Sequence, residues 1–302
     1  MLCQYPVVLG KDKVVKCGRC KICRIQKRRE WSHRLMLEAS LYENNAFLTL
    51  TYSDDNLPEG GTLVPKHLTD FIKRLRWKIG ANADNPLRYY GVGEYGSQSE
   101  RPHYHLALFN FNECMIGQTD CTKKKCCDVC ELVATTWKLG QIFIGQLTPE
   151  SAGYVCGYVV KKMTNKDDEY VQEYLKGRHP EFARMSRNPG IAADVAHDIA
   201  SEIIEHDLKE VPYALRHGQR LLPVGRYLRT KIQEASECNK TSSMAQNSQL
   251  QELSEKVFNS EKSLPKGVSK YDVLREEIIK RNEHRSNQMV RNAEKKLKGK
   301  QL

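Results

Sequence analysis

The 302 residues are 40 % hydrophobic and 28 % charged, enough apolar sequence for one large domain or two modest ones with a buried core. No run of about 18 apolar residues occurs, which argues against a membrane-spanning helix. Lysine and arginine enter by residue 11, so no signal peptide is expected and the protein should stay in a cytoplasm. There the eleven cysteines read as thiols or metal ligands rather than disulfides.

The formal charge is +11 and the pI is near 9.0. It is concentrated in two blocks, with ten Lys/Arg against two Asp/Glu in residues 11–34 and ten against five in residues 270–302. Such blocks point to a polyanionic partner, nucleic acid ahead of an anionic membrane surface.

In chain order, Cys17-Gly-Arg-Cys20-Lys-Ile-Cys23 forms two overlapping Cys-x-x-Cys knuckles that run into a basic helix from Arg24 to Leu41. Phe47–Tyr52 has the β-branched and aromatic content of a buried strand and ends at the turn signal Ser53-Asp-Asp-Asn56. Pro65 opens a helix with Leu68, Phe71, Ile72, Leu75 and Ile79 at helical spacing. Arg88–Tyr95 is a strand, joined by a polar turn at Gly96–Glu100 to a second strand, Arg101-Pro-His-Tyr-His-Leu-Ala-Leu-Phe109.

Side chains alternate across a strand, so His103 and His105 share one face while Tyr104, Leu106 and Leu108 take the other. Glu94 lies near the turn on the partner strand, within reach of both histidines across the ladder. Two imidazoles and a carboxylate leave coordination positions open, an arrangement suited to Mg²⁺ or Mn²⁺ together with a phosphate.

A second cysteine group follows, Cys114, Cys121, Cys126, Cys127 and Cys130, with Cys127-x-x-Cys130 at zinc spacing. Thiolates drawn from a subset of Cys17, Cys20, Cys23, Cys121, Cys127 and Cys130 could hold one structural zinc, or each cluster its own. Ile142–Ile144 is the core of another strand, and Thr148 is the expected N-cap of a helix with Pro149 at its first position. On that helix Tyr154, Tyr158 and Lys161 form one stripe, and Gly153 and Gly157 lie beside it. Each glycine costs about 1 kcal/mol of helix propensity, so something is expected to approach closely, either a sheet or a DNA backbone. Residues 165–240 read as mixed and mainly helical. Thr241 to about Ser263 reads as a linker or frayed helix, and Lys270–Lys298 as a peripheral basic helix with Tyr271, Leu274 and Ile278 as a thin apolar stripe.

The His-x-His strand, the neighbouring carboxylate and the tyrosine–lysine helix together suit cleavage of a phosphodiester by a tyrosine. A phenol of ordinary pKa about 10 is a poor nucleophile at neutral pH, and a cation on the phosphate oxygens with Lys161 nearby would compensate. Transesterification conserves a phosphate ester, so the step reverses without ATP, and two tyrosines allow one 5′ end to be held while a second cut is made.

These residues resemble the replication initiators of the microviruses, the small single-stranded DNA phages, particularly the gokushovirus type, within the HUH endonucleases. The resemblance rests on Cys17-Gly-Arg-Cys20, Phe47–Tyr52, Gly93-Glu-Tyr-Gly96, Arg101–His105, Tyr154–Lys162 and Met185-Ser-Arg-Asn-Pro-Gly-Ile191, in family order across residues 3–195. It implies an α+β fold, an antiparallel sheet flanked by helices with a ferredoxin/RRM-like core, followed by a helical basic C-terminal region. The implied division is a Cys-rich basic segment over 1–45, an endonuclease domain over 46–200 carrying a Cys-rich insertion at 114–130, a mixed helical extension over 201–240, and a linker with a basic helix over 241–302. The family's metal residues carry to His103, His105 and Glu94, its nucleophiles to Tyr154 and Tyr158, and its lysine to Lys161.

The implied activity is nicking of the origin of the double-stranded replicative form, leaving a 5′-phosphotyrosine and a 3′-hydroxyl, in the cytoplasm of a bacterial host. The implied partners are origin DNA, single-stranded and supercoiled, and the host replication helicase and polymerase. A plasmid relaxase or single-strand transposase would share the chemistry. A zinc-stabilised DNA-binding protein without enzymatic activity would share only the basic blocks.

Overall fold

In the computed structural model, which describes residues 3–11, 13–96, 98–114, 116, 126–161, 173–238, 244–260 and 264–298, the alternating segments become one five-stranded antiparallel sheet. Its strands are β3 (Asn45–Thr51), β4 (Arg88–Tyr95), β5 (Pro102–Phe109), β6 (Ile142–Gln146) and β7 (Phe182–Met185), in the order β6-β3-β5-β4-β7. β5, which carries the two histidines, is therefore the middle strand, as the α+β expectation required. Its residues are buried almost throughout, because helices cover both faces of the sheet.

One face buries Leu48, Leu50, Tyr104, Leu106 and Leu108 against α2 (Pro65–Lys78) and α3 (Asp128–Trp137). From α2 come Leu68, Phe71, Ile72 and Leu75, the helical-spacing stripe expected from the sequence. Each fully buried leucine contributes about 1.5–3 kcal/mol relative to exposure. The opposite face presents Tyr90, Val92, Ala107 and Phe109 to α1 (Lys21–Ala39), α4 (Pro149–Lys161), α5 (Ala193–Glu205) and α6 (Gly225–Ser236). α1 thus covers the sheet directly rather than forming a segment apart. It begins three residues earlier than expected, because the Cys20 side chain accepts the Cys23 backbone N–H and caps it.

Three elements were not read from the sequence. A hairpin of β1 (Val7–Gly10) and β2 (Lys13–Val15) precedes α1, and a second, of β8 (Ala214–His217) and β9 (Arg220–Pro223), precedes α6. β7 extends the main sheet beside β4. The expected linker contains α7 (Met244–Phe258) instead. Leu250, Leu253 and Val257 recur on one face of α7 and pack with Leu274 and Ile278 of α8 (Lys270–Lys298) and with Val8 and Val14 of the first hairpin. That burial outweighs the polar composition, so the segment is helix. The apolar stripe on α8 holds for Leu274 and Ile278, whereas Tyr271 is exposed and stacks on Phe258 at 5.2 Å between ring centroids. Among the described residues no helix is long and apolar enough to cross a membrane.

Gly140 is the tight point between α3 and the sheet. A Cβ there would overlap the backbone of Thr51 and Ser53, where the Thr51 and Ser53 N–H groups bond Gln141 and Leu139 carbonyls. Gly140→Ala is expected to cost roughly 1–3 kcal/mol through overpacking, read as a lowered urea midpoint at unchanged slope. An unshifted midpoint would mean the β3 end yields freely.

Candidate active site

The β4–β5 register places Glu94 opposite His103, and β3 places Thr49 opposite His105. Glu94 Oε1 lies 2.9 Å from Nε2 of His103 and 2.9 Å from Nε2 of His105. The far side of each imidazole is held as well. His103 Nδ1 donates to the Arg101 carbonyl at 2.9 Å, and His105 Nδ1 is 2.8 Å from Thr49 Oγ1. Anchoring the outer nitrogen turns both inner nitrogens toward one point, which is how metal-ligating histidines are oriented.

Glu94 is 1 % exposed, yet its Oε2 has no hydrogen-bond partner among the described residues. A buried carboxylate oxygen without a partner costs free energy, and a cation would satisfy it. One nitrogen from each histidine and one Glu94 oxygen lie within 4.8 Å of one another, so the donor set fits a divalent ion of the Mg²⁺ or Mn²⁺ kind.

The charges agree with this geometry. Burial alone would raise the Glu94 carboxyl, but the His103 and His105 contacts outweigh it and hold the pKa below the ordinary value. Burial pushes His105 down, leaving it a neutral donor. Burial would lower His103 too, yet the Glu94 carboxylate overcomes it and raises the pKa. Glu181, just before β7, adds to that effect and accepts the Tyr95 backbone N–H at 2.9 Å. The sequence did not single out Glu181, because the strand it leads into is only four residues long and has no alternation to reveal which side chain faces inward.

α4 crosses this face of the sheet. Its start is a reciprocal cap, in which Ser151 N–H donates to Thr148 Oγ1 at 3.2 Å and Thr148 N–H donates to Ser151 Oγ at 2.8 Å. The Tyr154 ring stands edge-on to His105 at 5.1 Å between centroids and to Phe47 at 6.3 Å. Tyr154 is 36 % exposed, so it touches the metal-ligating group while open to solvent. Tyr158 and Lys161 belong to α4, but their side chains lie outside the described residues.

The glycines of α4 face neither the sheet nor an open groove. A Cβ on Gly157 would lie 3.1 Å from Cζ of Arg28, and Arg28 Nε donates to the Gly153 carbonyl at 2.8 Å. The close neighbour is the guanidinium of α1, which holds the tyrosine helix from behind.

The cysteines form two separate groups of four, each able to hold a metal ion. One is Cys3, Cys17, Cys20 and Cys23, and the other is Cys114, Cys126, Cys127 and Cys130. Cys3 was missed because it stands fourteen residues before its partners with no spacing signal. Cys121 lies outside the described residues.

The family comparison falls on this same region. Residues 45–163 match the family model of the replication-associated protein ORF2. That stretch runs from β3 past the end of α4 and includes every residue of the site from Thr49 to Lys161. The chain is 35 % identical over 183 residues to the replication-associated protein ORF2 of Spiroplasma virus 4, covering 59 % of this chain and 56 % of that protein. It is 36 % identical over 163 residues to the replication-associated protein VP4 of Bdellovibrio phage phiMH2K, covering 51 % and 50 %. The chain thus spans about half the length of the curated relatives it matches. No solved structure matches. The resemblance to phage replication initiators drawn from the motifs is supported by these relatives.

Proposed function

We propose that the protein is a viral rolling-circle replication initiator, a site-specific endonuclease that nicks one strand at the origin of a double-stranded replicative form. The observation that carries this reading is the Tyr154 ring resting on His105, whose Nε2 converges with that of His103 on Glu94. Bound Mg²⁺ or Mn²⁺ would draw electron density from the scissile phosphate and stabilise the charge that develops on it. Glu94, His103 and His105 hold the cation. The Tyr154 or Tyr158 oxygen attacks phosphorus, the P–O3′ bond breaks, and the chain is left with a 5′-phosphotyrosine and a free 3′-hydroxyl. Lys161 balances the phenolate and phosphate charge. The second tyrosine performs the later cut, and the freed 3′-hydroxyl then displaces the first tyrosine and rejoins the displaced strand. The basic blocks supply salt-sensitive affinity for DNA. The reading places the protein in the bacterial host cytoplasm with the host helicase and polymerase.

The test is incubation with supercoiled origin DNA and Mn²⁺, followed by denaturing electrophoresis. A nick and a protein–DNA adduct that survives denaturation are expected; binding without either would leave only a DNA-binding protein. Glu94→Ala should raise the Mn²⁺ concentration for half-maximal nicking by on the order of a hundredfold, with DNA affinity at fixed salt unchanged. An unaltered metal requirement would remove Glu94 from the site.

A further inference from the structure

Four thiols that merely fill space have no reason to sit at the corners of a tetrahedron. A disulfide would bring two sulfurs to about 2.05 Å, whereas tetrahedral zinc with Zn–S near 2.3 Å sets every sulfur–sulfur edge at about 3.8 Å. In the first group the Sγ separations are 3.9 Å for Cys3–Cys20, 4.0 Å for Cys17–Cys23 and 3.6 Å for Cys3–Cys23. In the second, Cys114 and Cys126 are 3.5 Å apart, and all four sulfurs lie within 4.8 Å. All eight are uncrosslinked.

Both groups share a local design. Cys20 is the residue before α1 and Cys127 the residue before α3, and in each case a second cysteine follows three positions later, Cys23 and Cys130. The positive helix start favours thiolate charge at this pair. In the first group backbone N–H groups also point at sulfur, from Cys17 to Cys3 at 3.4 Å, from Cys20 to Cys17 at 3.3 Å and from Cys23 to Cys20 at 3.5 Å. Hydrogen bonds of this kind stabilise a thiolate over a thiol. The remaining ligands come from outside the helix, Cys3 and Cys17 in one case and Cys114 and Cys126 in the other.

We propose that the chain binds two structural zinc ions, one on Cys3, Cys17, Cys20 and Cys23, the other on Cys114, Cys126, Cys127 and Cys130. Both sets are saturated by protein sulfur, so neither leaves a position for substrate. The first ion fastens the residues before α1 to the start of that helix, against which Met289 and Val290 of α8 pack. The second ties the chain leaving β5 to the start of α3, inside the core on the face away from the histidines.

Native mass spectrometry of the full chain purified without added metal tests the assignment, and it does not depend on nicking activity. Two zinc ions per chain are expected. Cys23→Ser should retain one and Cys130→Ser the other, while Cys238→Ser and the Tyr154→Phe/Tyr158→Phe pair keep two. Cobalt substituted for zinc should show the intense visible ligand-field bands of a tetrahedral thiolate site. If the serine variants do not fold, Cys23→His and Cys130→His, which preserve a zinc ligand, should fold with two ions. A zinc-free folded wild type whose cysteines all react with a thiol reagent would overturn the proposal. So would the loss of both ions from either single serine variant while its fold is intact, since that would mean one shared site.

Discussion

Replacing Tyr154 and Tyr158 together with phenylalanine is expected to abolish the covalent protein–DNA adduct, a loss on the order of 10⁴-fold or more in nicking, as for removal of a nucleophile elsewhere. The ring of Tyr154 remains against His105 and Phe47 in the variant, because those contacts use its edge and face rather than its hydroxyl. Folding and affinity for origin DNA should therefore be retained. The single variants divide the work: each should lose at least one of cleavage and rejoining, and the one that makes no adduct at all identifies the tyrosine that attacks first. A double variant that still forms an adduct stable to denaturation would show that the nucleophile lies elsewhere.

The second large effect concerns stability. Glu38 on α1 is wholly buried and accepts from Arg88 Nε at the start of β4 and from the backbone N–H of Ala192 just before α5. Arg88 also donates to the Gly190 carbonyl at 3.1 Å. This one ion pair ties a helix, a strand and a turn together. Glu38→Gln preserves volume but leaves the Arg88 charge buried without a counter-ion, which should cost about 3–5 kcal/mol. Urea unfolding followed by circular dichroism would measure it. Replacing both partners with apolar residues, Glu38→Leu with Arg88→Met, should recover most of the loss, because a well-packed hydrophobic pair often matches a buried ion pair. A Glu38→Gln variant within about 1 kcal/mol of the parent would mean that water reaches the guanidinium.

Much of this architecture was legible in the sequence wherever one signal dominated. The period-two pattern and the turn residues fixed β3, β4 and β5 to within a residue or two. The spacing of Leu68, Phe71, Ile72 and Leu75 gave α2, and Thr148-Pro149 gave the start of α4. The meeting of Glu94 with His103 and His105 followed from one hairpin and its register. What escaped depended on long-range partners. β7 is four residues long and becomes a strand only because β4 offers an edge. α7 is polar in composition and is helical because Leu253 finds Leu274 and Ile278. Gly153 and Gly157 did signal a close neighbour, but its identity, Arg28, is more than a hundred residues away in the chain. Cys3 carried no spacing at all, and only the fold joins it to Cys17, Cys20 and Cys23.

The short β4–β5 connection has one more consequence. Glu94, His103 and His105 fall within a dozen residues on two strands linked by a six-residue connection, so bringing them together closes only a small loop and costs little chain entropy. A growing polypeptide could therefore gather its three chelating atoms well before the ribosome has delivered Tyr154. Cation capture would precede the arrival of the phenol that needs it, and a prematurely terminated product would be able to chelate while remaining incapable of cutting.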